Sequence, residues 1–221
     1  MTVVKNILKG FTEGLAAGIC ISLGCAVFLA LPQQKVAGAL LFCVALLCVC
    51  YKGYNLYTGK IGFIVEKHSG GDFTGLFAGL AGNVAAVVIF GLLLRIALPA
   101  SAEQAETVVA AKLSQTALQT LIRGGFCGIL MYLAVSIYRE KKTPAGIFFC
   151  IPAFILSGFE HSVADMCYFA AAGNFSGEAA LFIVYVVLGN TIGAMILPAL
   201  KILFEKKVLT NKIKNVNIIL V

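Results

Sequence analysis

The chain has 221 residues, of which 60% are hydrophobic and 12% charged, against roughly a quarter charged in a soluble domain. So few charges cannot coat a sphere of this size, which excludes an ordinary soluble globule and leaves a polytopic membrane protein. The formal net charge of +7 does not point to nucleic acid, because the basic residues sit between apolar runs and form no stripe on a polar face.

The apolar runs give six expected spans, each longer than the roughly 17 residues a membrane helix needs. A short stretch, 1–10, carries Lys5 and Lys9 and leads into the first run at 11–31. No small-residue cleavage pattern follows, so this run is expected to stay in place as a helix. Near its start, Glu13 is expected to pair with a cation on the same side. The second run, 37–65, passes through Lys52-Gly53-Tyr54-Asn55-Leu56-Tyr57-Thr58-Gly59-Lys60. The third, 75–98, holds Gly82-Asn83-Val84 and ends near Arg95. The connection 100–111 carries Glu103 and Glu106 and reads as an outer loop, with Lys112 at the mouth of the next helix. The fourth run, 114–137, contains Arg123, which, like Arg95, is expected to pair or to snorkel rather than to touch a solute. The fifth, 145–171, passes through Ser157-Gly158-Phe159-Glu160-His161-Ser162-Val163-Ala164-Asp165. The sixth, 179–203, precedes a basic tail, 204–221. The expected organisation is one transmembrane domain, 1–221, with a bundle at 11–203.

Charge sets the orientation. Lys5 and Lys9, Lys67 in the connection 66–74, Arg139, Lys141 and Lys142 after the fourth span, and Lys201, Lys206, Lys207, Lys212 and Lys214 in the tail all fall on one side. Only Lys35 and Lys112 are left on the other, so both termini are expected in the cytoplasm and the protein in the cell membrane. Eight cysteines lie inside apolar runs without a C-x-x-C pair or a histidine at ligand spacing. They read as packing residues, with no metal or cofactor, which disfavours an integral redox protein.

The second and fifth spans put glycine and ionisable residues at mid-membrane depth. A charge there costs roughly 2.5–3.5 kcal/mol on insertion scales, and irregular backbone is tolerated only where protein or a cavity satisfies it. Both are therefore expected to be broken helices lining a pathway. A weak internal repeat agrees: Glu13-Gly14-Leu15-Ala16-Ala17-Gly18 parallels Arg123-Gly124-Gly125-Phe126-Cys127-Gly128, and Gly82-Asn83-Val84 parallels Gly189-Asn190-Thr191. Three spans per repeat is odd, so the second half must be inserted upside down, and the two interruptions meet near the midplane. The small-residue spacings Gly14/Gly18, Gly124/Gly128 and Gly189/Gly193 read as close helix packing.

The segment Ser157-Gly158-Phe159-Glu160-His161-Ser162-Val163-Ala164-Asp165-Met166 resembles the signature of the formate/nitrite transporter family, which usually ends Ala-Asn-Met where this chain has Ala-Asp-Met. Leu56-Tyr57-Thr58-Gly59 is similar to the family's Leu-Phe-Thr segment. Lys112, ahead of a stretch ending Leu133-Ala134-Val135, is similar to its vestibule lysine, and Leu188-Gly189-Asn190-Thr191-Ile192-Gly193 to its sixth-helix motif. The resemblance implies an all-α, aquaporin-like protomer of six helices in two inverted three-helix repeats, with the second and fifth helices broken. It also implies assembly as a homopentamer in the lipid bilayer, with one pore per protomer for small monovalent anions or their conjugate acids, and no enzymatic activity. By position, His161 is the central pore histidine, Thr58 its partner and Glu160 the carboxylate behind it. Phe42 and Phe154 form an outer constriction, Leu46, Leu56, Tyr57 and Met131 an inner one. Lys112 attracts anions at the outer mouth and Asn190 is a polar pore residue.

This chain departs from the family pattern at Tyr57, Lys60, Gly128 and Asp165. Gly128 stands where asparagine is common and removes an amide, leaving Asn190 as the clearest one of that pair. Tyr57 adds a hydroxyl to the constriction. Lys60 either adds positive field at the inner mouth or snorkels to the surface. Asp165, at i+4 from His161, either biases protonation there or bonds a neighbouring helix.

Rings of Phe, Leu and Met cannot replace an anion's water. Taking a carboxylate-sized ion into low dielectric costs several kcal/mol, and protonating an acid of pKa about 4 at pH 7 costs only ~4 kcal/mol. The expected function is passage of formate, nitrite or hydrosulfide with, or as, the protonated acid. The alternative is an aquaporin-like channel for a small neutral solute, whose flux would be indifferent to pH.

Overall fold

The computed structural model describes residues 2–66 and 68–219, the side chains of Thr2 and of 206–219 excepted. Lys67 and the side chains of Lys206, Lys207, Lys212 and Lys214 therefore lie outside the described residues. The fold is all-helical among the described residues. In chain order come α1 (Thr2–Leu29), α2 (Lys35–Lys52), the short α3 (Tyr57–Lys60) with a 3-10 turn (Ile61–Val65), and α4 (Gly70–Ala97). Then follow α5 (Pro99–Leu113), α6 (Ala117–Lys141), α7 (Ala145–Leu156), α8 (Ser162–Ala172) and α9 (Gly177–Ile219).

Helix boundaries follow from local chemistry. Gly53 at φ 71° ends α2 and Gly173 at φ 70° ends α8, both in the left-handed region that glycine enters at no steric cost. At the start of α4, the Ser69 amide donates to Asp72 at 2.7 Å, half of a capping box, and Thr116 with Gln119 makes another for α6. The stretch expected as an outer loop, 100–111, is instead part of helix α5. Pro99 supplies the fixed φ suited to a first helical turn, and the Ala- and Glu-rich run behind it consists of good helix formers. Helices α1, α2, α4, α6 and α9 (to Glu205) are long and apolar enough to cross a membrane. The fifth run differs: it is divided between α7, of 12 residues, and α8, of 11, each too short alone. Within the second and fifth runs, non-helical backbone is confined to 53–56 after α2 and 157–161 after α7.

Two helix pairs carry the packing, α1 on α4 and α6 on α9. Both are seams of small residues: a Cβ on Gly14 would strike the backbone of Gly79, and one on Gly193 the backbone of Gly125. Such approach lets van der Waals contact hold helices that gain nothing from hydrophobic burial in lipid. One cluster joins Ile21, Leu46, Met131, Ile151 and Phe154 at the centre, and large apolar side chains such as Ile96 and Phe149 face outward. The eight cysteines are free; Cys25 and Cys43 bond weakly to carbonyls of Ala164 and Ile147 at 3.8 and 3.7 Å.

Candidate functional site

Where a helix stops inside an apolar bundle, its neighbouring amides and carbonyls lose their partners, and each unmet group is costly. Two asparagines meet this need with the same three bonds. Asn83 of α4 accepts the Tyr57 N–H at 2.9 Å and donates to the carbonyls of Gly14 (2.8 Å) and Asn55 (2.9 Å). Asn190 of α9 accepts the Ser162 N–H at 2.9 Å and donates to the carbonyls of Gly124 (2.9 Å) and Glu160 (2.8 Å). Asn190, expected to line the pore, is thus fully engaged as a backbone brace. Its counterpart is Asn83, not the residue at 128. A Cβ on Gly128 would meet the Asn190 carbonyl and lie 2.9 Å from the Ala194 nitrogen, so no amide fits there.

The second break ends on His161, the N-cap of α8. Its Nδ1 accepts the Ala164 N–H at 3.1 Å, and Nε2 lies 2.8 Å from Thr58 Oγ1. A backbone N–H only donates, so Nδ1 bears a lone pair and the ring proton sits on Nε2, donated to Thr58. The imidazole is neutral in this geometry. Phe154 stacks on it at 5.7 Å, with the rings 17° apart.

Glu160 makes no hydrogen bond to the imidazole. Its two oxygens accept from Lys112 and, at 2.6 Å, from the Gln115 amide. Lys112 also pairs with Asp165 at 2.8 Å, its side chain 13% exposed and those of Glu160 and Asp165 3% and 2%. The lysine expected to attract anions at the mouth is therefore held, partly buried, between two carboxylates. Of the two roles open for Asp165, the structure has the bond to a neighbouring element, α5. These residues, with Phe42, Phe154 and His161, line a cavity of about 410 Å³. Arg123 lines it too and has no carboxylate partner among the described residues. Arg95 pairs with Glu106 at 3.0 Å and caps α8 at the Ala172 carbonyl.

On the other side of His161 lies a second cavity, of about 620 Å³, reached by Asn55, Leu56, Lys60, Glu13 and Arg139. Glu13 pairs with Lys9 at 3.7 Å, and the exposed Lys60 has no ion pair among the described residues. Between the cavities, Leu46, Met131 and Thr58 are each about 1% exposed and line neither. Leu46, Leu56 and Met131 share a cluster with Phe42 and Phe154. Tyr57, expected among them, belongs to a separate cluster with Ile61, Leu76 and Tyr132. Its hydroxyl bonds Thr191 at 2.8 Å; Thr191 gives its own proton to the Val187 carbonyl, so Tyr57 is the donor. Gln115 and the bracing role of Asn83 went unseen in the sequence; the repeat of Gly-Asn at 82–83 and 189–190 is the signal that marks the latter.

A family model described as "Formate/nitrite transporter" matches residues 2–204. The nitrite transporter NirC of Escherichia coli (strain K12) is 27% identical over 175 residues, covering 70% of this chain and 65% of NirC, less than two thirds of that relative's length. YwcJ of Bacillus subtilis (strain 168), described as an uncharacterized transporter, is 28% identical over 183 residues, 76% of this chain and 72% of the relative. A solved structure described as a pentameric formate channel with formate bound superposes with a TM-score of 0.75 at 21% identity, over 91% of this chain and 98% of that one. That likeness shows the fold.

Proposed function

Because the chain belongs to the formate/nitrite transporter family, we propose that it is a membrane channel or proton-linked transporter for a small monovalent weak-acid anion, formate, nitrite or hydrosulfide. The observation that carries this reading is an apolar layer, between two cavities lined in part by ionisable residues, in which Thr58 is hydrogen-bonded to a neutral His161. An anion entering the layer loses its water among Phe42, Phe154, Leu46, Leu56 and Met131 and meets a single N–H. Several kcal/mol of desolvation exceed the ~4 kcal/mol needed to protonate an acid of pKa about 4 at pH 7, so the neutral acid is the crossing species. Arg123 supplies positive field in the outer cavity, where Lys112 is offset by its carboxylate neighbours.

The same reading takes the chain as one transmembrane unit of two inverted three-span halves, α2 with α3 and α7 with α8 each forming one interrupted span. The matching bonds of Asn83 and Asn190 support it. Both termini are cytoplasmic on the positive-inside argument. The reading includes homopentameric assembly, which the solved structure described as pentameric supports, and a place in the cell membrane. Stopped-flow uptake of formate, nitrite and hydrosulfide into proteoliposomes at two pH values tests the function. Flux that rises with proton supply supports weak-acid passage; flux indifferent to pH, or vesicles tight to all three, overturns it.

A further inference from the structure

In the wall of the outer cavity, two carboxylates share one ammonium. Lys112 is a single ammonium wedged between Glu160 and Asp165, so the trio carries an excess negative charge when all three are ionised. A buried charge without a direct partner is unfavourable. Hydrogen bonding tells which oxygen a neutralising proton occupies. Both Glu160 oxygens already accept, from Lys112 and from Gln115 Nε2. Asp165 Oδ1 accepts from Lys112. Asp165 Oδ2 is buried and has no partner, although its side chain belongs to the wall of the cavity.

The other titratable groups around Asp165 form no ion pair with it. Cys25 from α1, Cys127 from α6 and Tyr168 on its own helix are neutral neighbours, and His161 is held neutral by its own bonds. Arg123 and Lys35 from α2 line the same cavity as cations, and neither makes an ion pair with Asp165. Neither α4 nor α9 contributes a residue to that cavity.

We propose that Asp165 Oδ2 carries a proton in the resting protein and is the donor that neutralises the arriving anion, an inference that rests on the weak-acid reading above. The Asp165 O–H bond breaks as an O–H bond forms on formate or nitrite, or an S–H bond on hydrosulfide. The carboxylate left behind shares the Lys112 ammonium with Glu160 while the neutral acid moves on past His161. Water on the outer side then returns one proton to Oδ2, so one proton crosses with each anion. This chain carries the aspartate where the family signature has asparagine, a residue that keeps the shape and cannot give up a proton.

The test combines infrared spectroscopy with flux on the full-length protein. The wild type shows the carbonyl stretch of a protonated carboxylic acid at neutral pH, shifted in heavy water. Asp165→Glu displaces that band, Glu160→Asp leaves its position unchanged, and Asp165→Asn removes it. In proteoliposomes, formate flux through Asp165→Asn tracks the free-acid fraction and drops about tenfold per pH unit above the acid's pKa, whereas the wild-type profile is flatter. A wild type without the band, a band displaced by Glu160→Asp instead, or identical pH profiles for wild type and Asp165→Asn would overturn the proposal alone. Wild-type vesicles tight to every weak acid would overturn the donor step together with the transport reading.

Discussion

Replacing Asn190 with alanine removes three hydrogen bonds at once and leaves the Ser162 amide and the Glu160 carbonyl unmet at a site with no solvent exposure, while the Gly124 carbonyl loses its second partner. Side-chain bonds between membrane helices average about 0.6 kcal/mol, and bonds in soluble proteins about 1 kcal/mol, so three give about 2–3 kcal/mol. At roughly 2–4 °C per kcal/mol for a chain of this length, Asn190→Ala is expected to melt ~4–12 °C below the wild type in detergent. Asn83→Ala removes the matching three bonds to Tyr57, Gly14 and Asn55 and is expected to lose the same amount. Asn190→Asp keeps the acceptor for Ser162 but sets an oxygen against two carbonyls, so its loss is at least as large as that of alanine. Thermal unfolding of the variants side by side is the assay. An alanine variant that melts with the wild type, or a loss confined to one of the two asparagines, would refute the bracing argument.

His161→Asn keeps a good N-cap for α8 but withdraws the N–H from Thr58. It is expected to purify as a folded assembly and to lose pH-dependent flux, and stopped-flow uptake equal to the wild type would remove the imidazole from the pathway. Tyr57→Phe deletes one bond to Thr191 outside the apolar layer, about 1 kcal/mol of stability, so melting falls slightly and the ranking of formate, nitrite and hydrosulfide is unchanged; a reordered ranking would return Tyr57 to the pore. Arg123→Gln withdraws a cation worth about 1 kcal/mol to an anion a few ångströms away in water. The half-saturating outside concentration is expected to rise about fivefold, with little change at saturation, and equal losses at both concentrations would argue against attraction.

How much of this is legible in the sequence depends on range. The apolar runs show themselves because lipid demands length, and the interruptions because glycine and ionisable side chains are costly at that depth. His161 and Thr58, distant in the chain, are paired by family likeness alone, and the structure has them 2.8 Å apart. Side-chain direction is the part that does not show. Glu160 is adjacent to His161 in the chain, yet the backbone turn ahead of α8 sends its carboxylate to Lys112 and Gln115. Gly128 invites an argument about a missing amide, whereas the contact with α9 leaves no room for one. Helix α5 was hidden by its composition: Glu103 and Glu106 in a short polar stretch look like a loop, and only the proline ahead of an alanine-rich run argues otherwise.

The connecting helix α5 also makes the two halves unequal. It packs on α8 and delivers Lys112 to Glu160 in the second break and Asp165 after it. The first break has no such visitor; Asn55, which shares a brace in the same way as Glu160, is uncharged. A chain severed at 114–116 would therefore yield one fragment holding a stranded ammonium and another holding two stranded acids. The fragments would need each other for charge before they needed each other for shape, and two copies of either one would make a poor substitute for the pair.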